Sequence, residues 1–305
     1  MRVLLTGSGG RIGRAIALEL TSNRSLNIEL TTLDRDPQAQ PTWLGDVADA
    51  KLLQRAMAGI HTVIHTAALH APHVSIHAEL EFTRINVQGT KLLIEAAVEA
   101  DVGRIIYTST TALYGRANAG DGHTNAEDGR AAWLTEESRP QPITIYHRTK
   151  LAAEQLLAEA VKTHNLSVFV LRMSRCFPEP APQMAAYRLH RGVDARDVAV
   201  AHACALARIN RDAQFETYII SGATPFLPDD APALYADAPA VLKLRAPELV
   251  AAFAQRGWPL PQSIDRVYDA SRALRELNWQ PRFGYPEVLR QADSLSSEVL
   301  PYKIL

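Results

Sequence analysis

The stretch Thr6-Gly7-Ser8-Gly9-Gly10-Arg11-Ile12-Gly13 separates an apolar run, Arg2–Thr6, from a helical pattern, Arg11–Thr21, in which Ile12, Ala15, Ile16 and Leu20 recur at helical spacing. A glycine loop with a strand before it and a helix after it is the setting in which such a loop binds a dinucleotide. Gly7 allows the tight turn, Gly10 lets the backbone meet a pyrophosphate, and Gly13 lets helix and strand pack closely. The unpaired N–H groups at the helix start favour phosphate oxygens.

Working outward, Asp34 ends the next apolar run, Asn27–Leu33, 21 residues after Gly13. A carboxylate there accepts the hydroxyls of an adenosine ribose and repels a 2′-phosphate, which favours NAD over NADP. Arg35 follows at once and offers a 2′-phosphate a partner, so NADP stays open. In Gly45-Asp46-Val47 a carboxylate follows a short apolar stretch, where an adenine amino group could be read.

The alternation continues through the first half. Thr62–Thr66, Arg104–Thr108 and Ser167–Leu171 read as strands, and Lys51–Ala58, His77–Glu99 and Tyr146–His164 as helices. Apolar, non-alternating strands joined by helices imply a parallel sheet covered on both faces. Later, Asp194–Ile209, Pro247–Arg256, Ser271–Leu277 and Tyr285–Leu295 read as helices and Thr217–Ser221 as a strand. Two proline-rich stretches, Phe177–Pro182 and Pro225–Pro239, break the pattern. The expected organisation is a dinucleotide-binding domain over 1–172 and a smaller substrate-binding lobe over 173–305, with 192–221 returning to the sheet.

The whole-chain figures exclude other classes. Across 305 residues, 32 Lys and Arg stand against 33 Asp and Glu, a formal charge of −1. That removes the electrostatic footprint of a nucleic-acid or anionic-membrane binder. Two cysteines, Cys176 and Cys204, cannot build a disulfide framework and fit a reducing compartment. No apolar run approaches the roughly 18 to 20 residues of a membrane helix, and the N-terminus lacks a signal-peptide pattern. A cytoplasmic location is expected.

Tyr146-His147-Arg148-Thr149-Lys150 places Tyr and Lys at i and i+4, on one helical face. An ammonium beside a phenol favours the phenolate and lowers its pKa, so the tyrosine can act as general acid or base. A lone Tyr-x-x-x-Lys is a common accident; here it opens the helix after the Arg104–Thr108 strand. That strand runs into Thr108-Ser109-Thr110-Thr111, hydroxyls at the C-terminal edge of a parallel strand, where such sheets bind ligands.

In this order the chain resembles an extended short-chain dehydrogenase/reductase of the NAD-dependent epimerase/dehydratase superfamily. The resemblance is carried by TGSGGRIG at 6–13, LDRD at 33–36, GDV at 45–47, HTAA at 65–68, NVQGT at 86–90 and YTSTTALYG at 107–115. It continues through YHRTK at 146–150, LRMSRCFPEP at 171–180, GVDARDVA at 192–199 and DASRALRELNWQPRF at 269–283. It implies an α/β fold, a Rossmann-type doubly wound parallel sheet with a small C-terminal substrate lobe. It makes Tyr146 the catalytic acid/base and Lys150 the residue that holds the nicotinamide ribose and tunes Tyr146. Thr110 matches the family's catalytic Ser/Thr, with Ser109 as a possible substitute. The cofactor would be bound by Gly7, Gly10, Arg11, Ile12, Gly13, Asp34, Arg35, Asp46, Val47, Thr66, Ala67, Ala68, Asn86, Thr108, Tyr146, Lys150, Met173 and Cys176. Asn86 would support the strand bearing the hydroxyls, and Met173 to Cys176 would line the nicotinamide face. The helices over 77–99 and 146–164 would form a homodimer bundle.

Three departures narrow the substrate. Sugar dehydratases of this superfamily carry Asp-Glu after the catalytic Thr; here Thr111-Ala112 follows Thr110. Nucleotide-sugar enzymes insert a long segment where only 16 positions separate Pro178 from Asp194. The arginine that holds a pyrophosphate near Trp258–Gln262 is out of register, in Arg256 or Arg266. The Cys176-Phe177-Pro178-Glu179-Pro180 run and the short loop after it are similar to uronate dehydrogenases, which oxidise a free sugar acid. Arg188 or Arg191 would then bind the substrate carboxylate, and His70 and His73 a polar substrate. His65, His70, His73 and His77 lack metal-ligand spacing, and no metal is expected.

The function expected is an NAD-dependent oxidoreductase acting on a small hydroxylated or sugar-like substrate, a sugar acid in its narrowest form. The alternatives are a nucleotide-sugar epimerase of the same superfamily and a non-catalytic dinucleotide-sensing regulator.

Overall fold

The computed structural model describes residues 1–23, 27–118, 129–208 and 214–302. Strand β1 (Arg2–Thr6) is buried along its last four residues, and β4 (Thr62–His65) throughout. Neither shows the in–out alternation of a half-solvated sheet, so both faces are covered. With β2 (Glu29–Asp34), β3 (Trp43–Leu44), β5 (Arg104–Thr110), β7 (Ser167–Met173) and β8 (Phe215–Ile220) they form a seven-stranded sheet in the order β3-β2-β1-β4-β5-β7-β8. Val3 is in parallel register with Leu30 on one side and Thr62 on the other, and Val63 with Ile105. The chain therefore grows outward from β1 in one direction and, from β4, in the other. The reversal between β1 and β4 is the switch point at which α/β sheets open a crevice beyond their strand ends. This is the doubly wound Rossmann-type architecture expected.

Helix α1 (Arg11–Ser22) buries Gly13, Ile16 and Leu20, and α2 (Ala50–Met57) is capped by Asp49, whose side chain accepts from the Leu52 N–H. The single helix expected over 77–99 is three segments: α3 (Glu79–Phe82), a π-helical turn (Thr83–Gln88) and α4 (Gly89–Glu99). Periodicity could not show the break, because one extra residue per turn barely disturbs an apolar stripe. β5 runs to Thr110 rather than Thr108, which puts three of the hydroxyl residues inside the strand. Helix α5 (Ile145–Thr163) starts at a Thr144 cap whose hydroxyl accepts from the His147 N–H. Helix α7 (Ala195–Ala207) stops short of the expected Ile209, which lies outside the described residues.

The chain divides into two compact units. The first comprises 1–113, 142–172 and 198–218; the second comprises 114–141, 173–197 and 219–305. In the first, Leu4, Val63, Leu93, Ile105, Leu157 and Val170 belong to one core cluster.

In the second unit a two-stranded parallel sheet pairs β6 (Ala132–Leu134) with β9 (Arg266–Tyr268), and Leu234, Leu249, Phe253 and Val267 share a core. The proline-rich stretches are not breaks there. They open helices α6 (Ala181–Tyr187), α8 (Ala231–Ala236) and α9 (Ala238–Arg245), each with Pro in its first two positions. A proline's missing N–H is no loss where a helix has no partner for it. Asp197 accepts from the Arg282 and Phe283 N–H groups and, through its carbonyl, from the Trp279 indole. Helices α10 (Pro247–Arg256), α11 (Ser271–Glu276) and α12 (Tyr285–Asp293) complete this unit.

Candidate functional site

The glycine loop joins β1 to α1. Gly7 has φ +72°, and a Cβ on it would lie 2.6 Å from the Ala67 nitrogen. On Gly13 a Cβ would lie 2.0 Å from the Gly7 carbonyl oxygen, so the first turn of α1 packs directly on the loop. Gly10 differs: its backbone is extended, and a Cβ would meet only the Gly7 oxygen at 3.4 Å. Among the described residues nothing demands glycine at position 10. Arg11 and Ile12 open α1, whose first turn carries no acidic residue and no side-chain cap, leaving its N–H groups to an anion.

Asp34 ends β2 beside this loop. Its Oδ2 accepts from the Gly9 N–H at 2.7 Å and its Oδ1 from the Asp36 N–H at 2.9 Å. The carboxylate is thus oriented by backbone, half-buried, while Arg35 is exposed. Asp46 is more committed than the sequence suggested. Its Oδ1 caps the Ala48 N–H and its Oδ2 pairs with Arg84 at 2.7 Å. Val47 is buried, 3.1 Å from where a Cβ on Gly89 would stand.

Beyond β4, the Thr66 hydroxyl donates to the Thr6 carbonyl at 2.7 Å, and Ala67 and Ala68 are half-buried. His65 is wholly buried between Thr6 and Thr90. Burial first, and the Lys150 charge second, push its imidazole down to about 3. It is therefore a neutral core residue. Asn86, on the π turn, holds both backbone groups of Leu69 and donates to the Thr149 hydroxyl at 3.0 Å. The role expected of Asn86 is support of the strand bearing the β5 hydroxyls; its own hydrogen bonds tie the loop after β4 to helix α5.

At the end of β5 each hydroxyl has a different partner. His202 Nδ1 faces the Val198 carbonyl, which can only accept, so Nδ1 carries the proton and Nε2 accepts from Thr108. Ser109, 2% exposed, donates to Glu154 at 2.5 Å. Its hydroxyl is directed to the interior, whereas the role expected of it as a substitute for Thr110 needs it turned to the substrate. The Thr110 hydroxyl accepts from the Ala112 N–H at 3.1 Å and stands near enough to the Tyr146 phenol to favour its ionised form.

Lys150 is 3% exposed. Its Nζ donates to the Thr108 carbonyl at 2.7 Å and lies 4.0 Å from the Tyr107 ring centroid. Burial pulls the ammonium down to about 7, against the raising effect of Glu154. Burial also pushes the Tyr146 phenol up to about 12, and the Thr110 hydroxyl opposes it. Burial, rather than the Lys150 charge that the spacing pointed to, is the leading influence on the phenol. The amine is turned to a backbone carbonyl, and burial outweighs what a four-residue spacing promised.

The expected substrate contacts fall in two groups. The His70 and His73 rings lie 4.1 Å apart, and the His70 N–H donates to His73 Nδ1. Both are pushed down, His70 to about 4, chiefly by burial. Among the described residues no group of three or more His, Cys, Asp or Glu could hold a metal. In the second unit, Met173 is half-buried and Cys176 buried. Arg188, 4% exposed, pairs with Asp194 at 3.2 Å, and Arg191 pairs with Asp265 at 3.0 Å over the Tyr187 ring. Both guanidiniums, expected to await a substrate carboxylate, already carry an internal one.

Glu154 and Arg172 had no place in the sequence reading. Arg172 Nη2 meets Glu154 Oε2 at 2.7 Å, both nearly buried. Two signals were available: Glu154 repeats the four-residue step from Tyr146 and Lys150, and Arg172 is a charge ending a buried apolar run.

The profile of the NAD dependent epimerase/dehydratase family matches residues 3–186. The chain is 31% identical over 189 residues to a dTDP-glucose 4,6-dehydratase of Streptomyces niveus, covering 56% of this chain and 53% of that protein. It is 29% identical over 175 residues to an L-arabinose 1-dehydrogenase (NAD(P)(+)) of Haloferax volcanii, covering 56% and 66%. The chain spans about half the length of the first curated relatives it matches. Among solved structures it is similar to a short-chain dehydrogenase/reductase superfamily protein of Agrobacterium tumefaciens with bound NAD, at TM-score 0.69 and 19% identity, covering 96% of each chain.

Proposed function

This chain belongs to the NAD dependent epimerase/dehydratase family, and from that premise we propose an NAD-dependent oxidoreductase acting on a small hydroxylated or sugar-like substrate, a sugar acid in its narrowest form. The observation that carries the reading is the anchoring of Lys150 to the Thr108 carbonyl at the C-terminal edge of β5, which brings the α5 face bearing Tyr146 up to Thr110.

The loop fits the cofactor. Gly7 and Gly13 are required by the chain's own packing, whereas Gly10 is not, which leaves close approach of a pyrophosphate as the reason for glycine there. Asp34 is oriented to accept ribose hydroxyls, which supports NAD over NADP. Gly7, Gly10, Arg11, Ile12 and Gly13 would cradle the phosphates. Asp34 would hold the adenosine ribose, and Val47 would flank the adenine. Thr66, Ala67 and Ala68 would pass beside the cofactor, with Lys150 at the second ribose. When bound, the nicotinamide supplies the acceptor for the hydride that leaves the substrate carbon with its electron pair.

The chain's own residues handle the proton. Thr110 holds the substrate oxygen, and the Tyr146 phenol oxygen takes its proton on oxidation or gives one on reduction. With the phenol held up to about 12, Tyr146 starts as a proton donor. Approach of the Lys150 cation is what would make it a base. Thr111-Ala112 provides no acid–base pair for water elimination, which argues against the dehydratase chemistry named for the Streptomyces relative. The arabinose dehydrogenase relative supports net oxidation of a free sugar.

The proposal extends to a cytoplasmic homodimer through α3–α4 and α5, with Leu80 on α3 79% exposed.

The test is a panel of sugars, sugar acids and small alcohols with NAD and with NADP, followed by absorbance of the reduced cofactor. Net reduction of NAD by a sugar or sugar acid is expected. Tyr146→Phe should cost about 10²- to 10⁴-fold in turnover while NAD still binds. Retained turnover in that variant overturns the mechanism, and inversion of a sugar carbon without net reduction replaces it with epimerisation.

A further inference from the structure

Three side chains line one face of α5 at successive four-residue steps: Tyr146, Lys150 and Glu154. The first two belong to the proposed chemistry. The third is buried, 3% exposed, and is held from two sides. Arg172, at the end of β7, binds both its oxygens, with Nη2 to Oε2 at 2.7 Å and Nε to Oε1 at 3.2 Å. Ser109, on β5, donates to Oε1.

We propose that Glu154 is a positioning residue for Lys150: its carboxylate, locked by Arg172 and Ser109, supplies the buried negative charge that keeps the Lys150 side chain an ammonium fixed against the Thr108 carbonyl. The inference deepens the oxidoreductase reading, because that reading needs a cation at this point.

The surroundings of Lys150 leave Glu154 this part. On α5 it faces Tyr146, a neutral phenol, and Glu154. On β5 it faces the Thr108 carbonyl and the Tyr107 ring, whose phenol burial keeps neutral. On the β4 side His65 and His70 feel its charge, and both are pushed well below neutral, so neither opposes it with a cation at pH 7. On the β7 side stands Arg172, which spends its guanidinium on Glu154. Glu154 is the one anion in this set. A buried ammonium without one loses its proton readily, and Lys150 already sits at about 7 with Glu154 in place.

Removing the charge has a readout that needs no cofactor. The chain has six lysines, at 51, 91, 150, 162, 243 and 303, few enough for each ε-carbon of ¹³C-lysine protein to be titrated by NMR. Lys150→Arg assigns the signal. In Glu154→Gln the Lys150 midpoint should fall by about one pH unit or more, while Glu154→Asp, which keeps the charge, should hold it within a few tenths. Should Glu154→Gln not fold, Arg172→Gln, which leaves the Glu154 charge unopposed beside the amine, should raise the Lys150 midpoint instead. An unmoved midpoint in whichever of these charge-removing variants folds overturns the proposal. The titration is read on the unliganded protein, so an absence of NAD reduction would overturn the oxidoreductase reading and leave this result standing.

Discussion

The Lys150 ammonium donates to the carbonyl of Thr108 at 2.7 Å, closing helix α5 onto the last turn of strand β5. The two residues that follow Thr108 have opposite assignments. Thr110 turns to Tyr146, and Ser109 turns inward to Glu154.

Thr110→Ala and Ser109→Ala should therefore separate. The first should lower turnover by about 10²-fold or more with little loss of stability, since it removes the hydroxyl proposed to hold the substrate oxygen beside Tyr146. The second should keep most turnover and cost about 1.5–3 kcal/mol of stability, the range for a hydrogen bond to a charged group. Steady-state rates and urea midpoints of the two variants decide this; a larger rate loss in Ser109→Ala reverses the assignment.

Gly13→Ala forces a methyl to within 2.0 Å of a backbone oxygen. A helix start cannot yield as a side chain can, so a stability loss of about 1–3 kcal/mol is expected together with weakened NAD binding. Gly10→Ala should leave the melting temperature almost unchanged and weaken NAD alone. Calorimetric melting with and without NAD separates the two.

Asp34→Ala removes the acceptor held by the Gly9 and Asp36 N–H groups. NAD affinity should fall at least about tenfold, or about 1.4 kcal/mol, while NADP loses its repulsion and gains relative to NAD. Fluorescence titration of both cofactors measures the ratio, and an unchanged ratio would remove Asp34 from the ribose site.

Three buried histidines set an acid limit. His65 and His190 are pushed down to about 3 and His202 to about 4, each chiefly by burial. Above about 6.5 each is neutral in both folded and unfolded chains and contributes no pH dependence. Below that the unfolded chain binds protons that the folded one refuses, so stability falls as pH drops from about 6.5 towards 4. Urea midpoints across that window should decline steadily. Replacing His202 by Gln, which offers the Thr108 hydroxyl an acceptor without titrating, should flatten part of the slope.

Legibility in the sequence followed the range of the interaction. The glycine loop and Asp34 are read within one β-α-β unit, because a turn, a helix start and a strand end are each written in neighbouring residues. The proline-rich stretch over 225–239 misled for the same reason: a proline breaks a helix from inside and begins one from its first turn. Only the surrounding packing tells the two apart.

By itself the sequence determined the doubly wound sheet, the loop at its switch point and the two side chains, Tyr146 and Lys150, that share one face of α5. Periodicity and spacing settle these because backbone geometry repeats them every two or every 3.6 residues. The tertiary structure decided what each polar group spends its hydrogen bonds on. It assigned Ser109 to Glu154, Asn86 to Leu69 and Thr149, Arg188 to Asp194 and the Lys150 amine to a carbonyl. A buried polar group must find a partner wherever the fold brings one, and several of these partners lie tens of residues away.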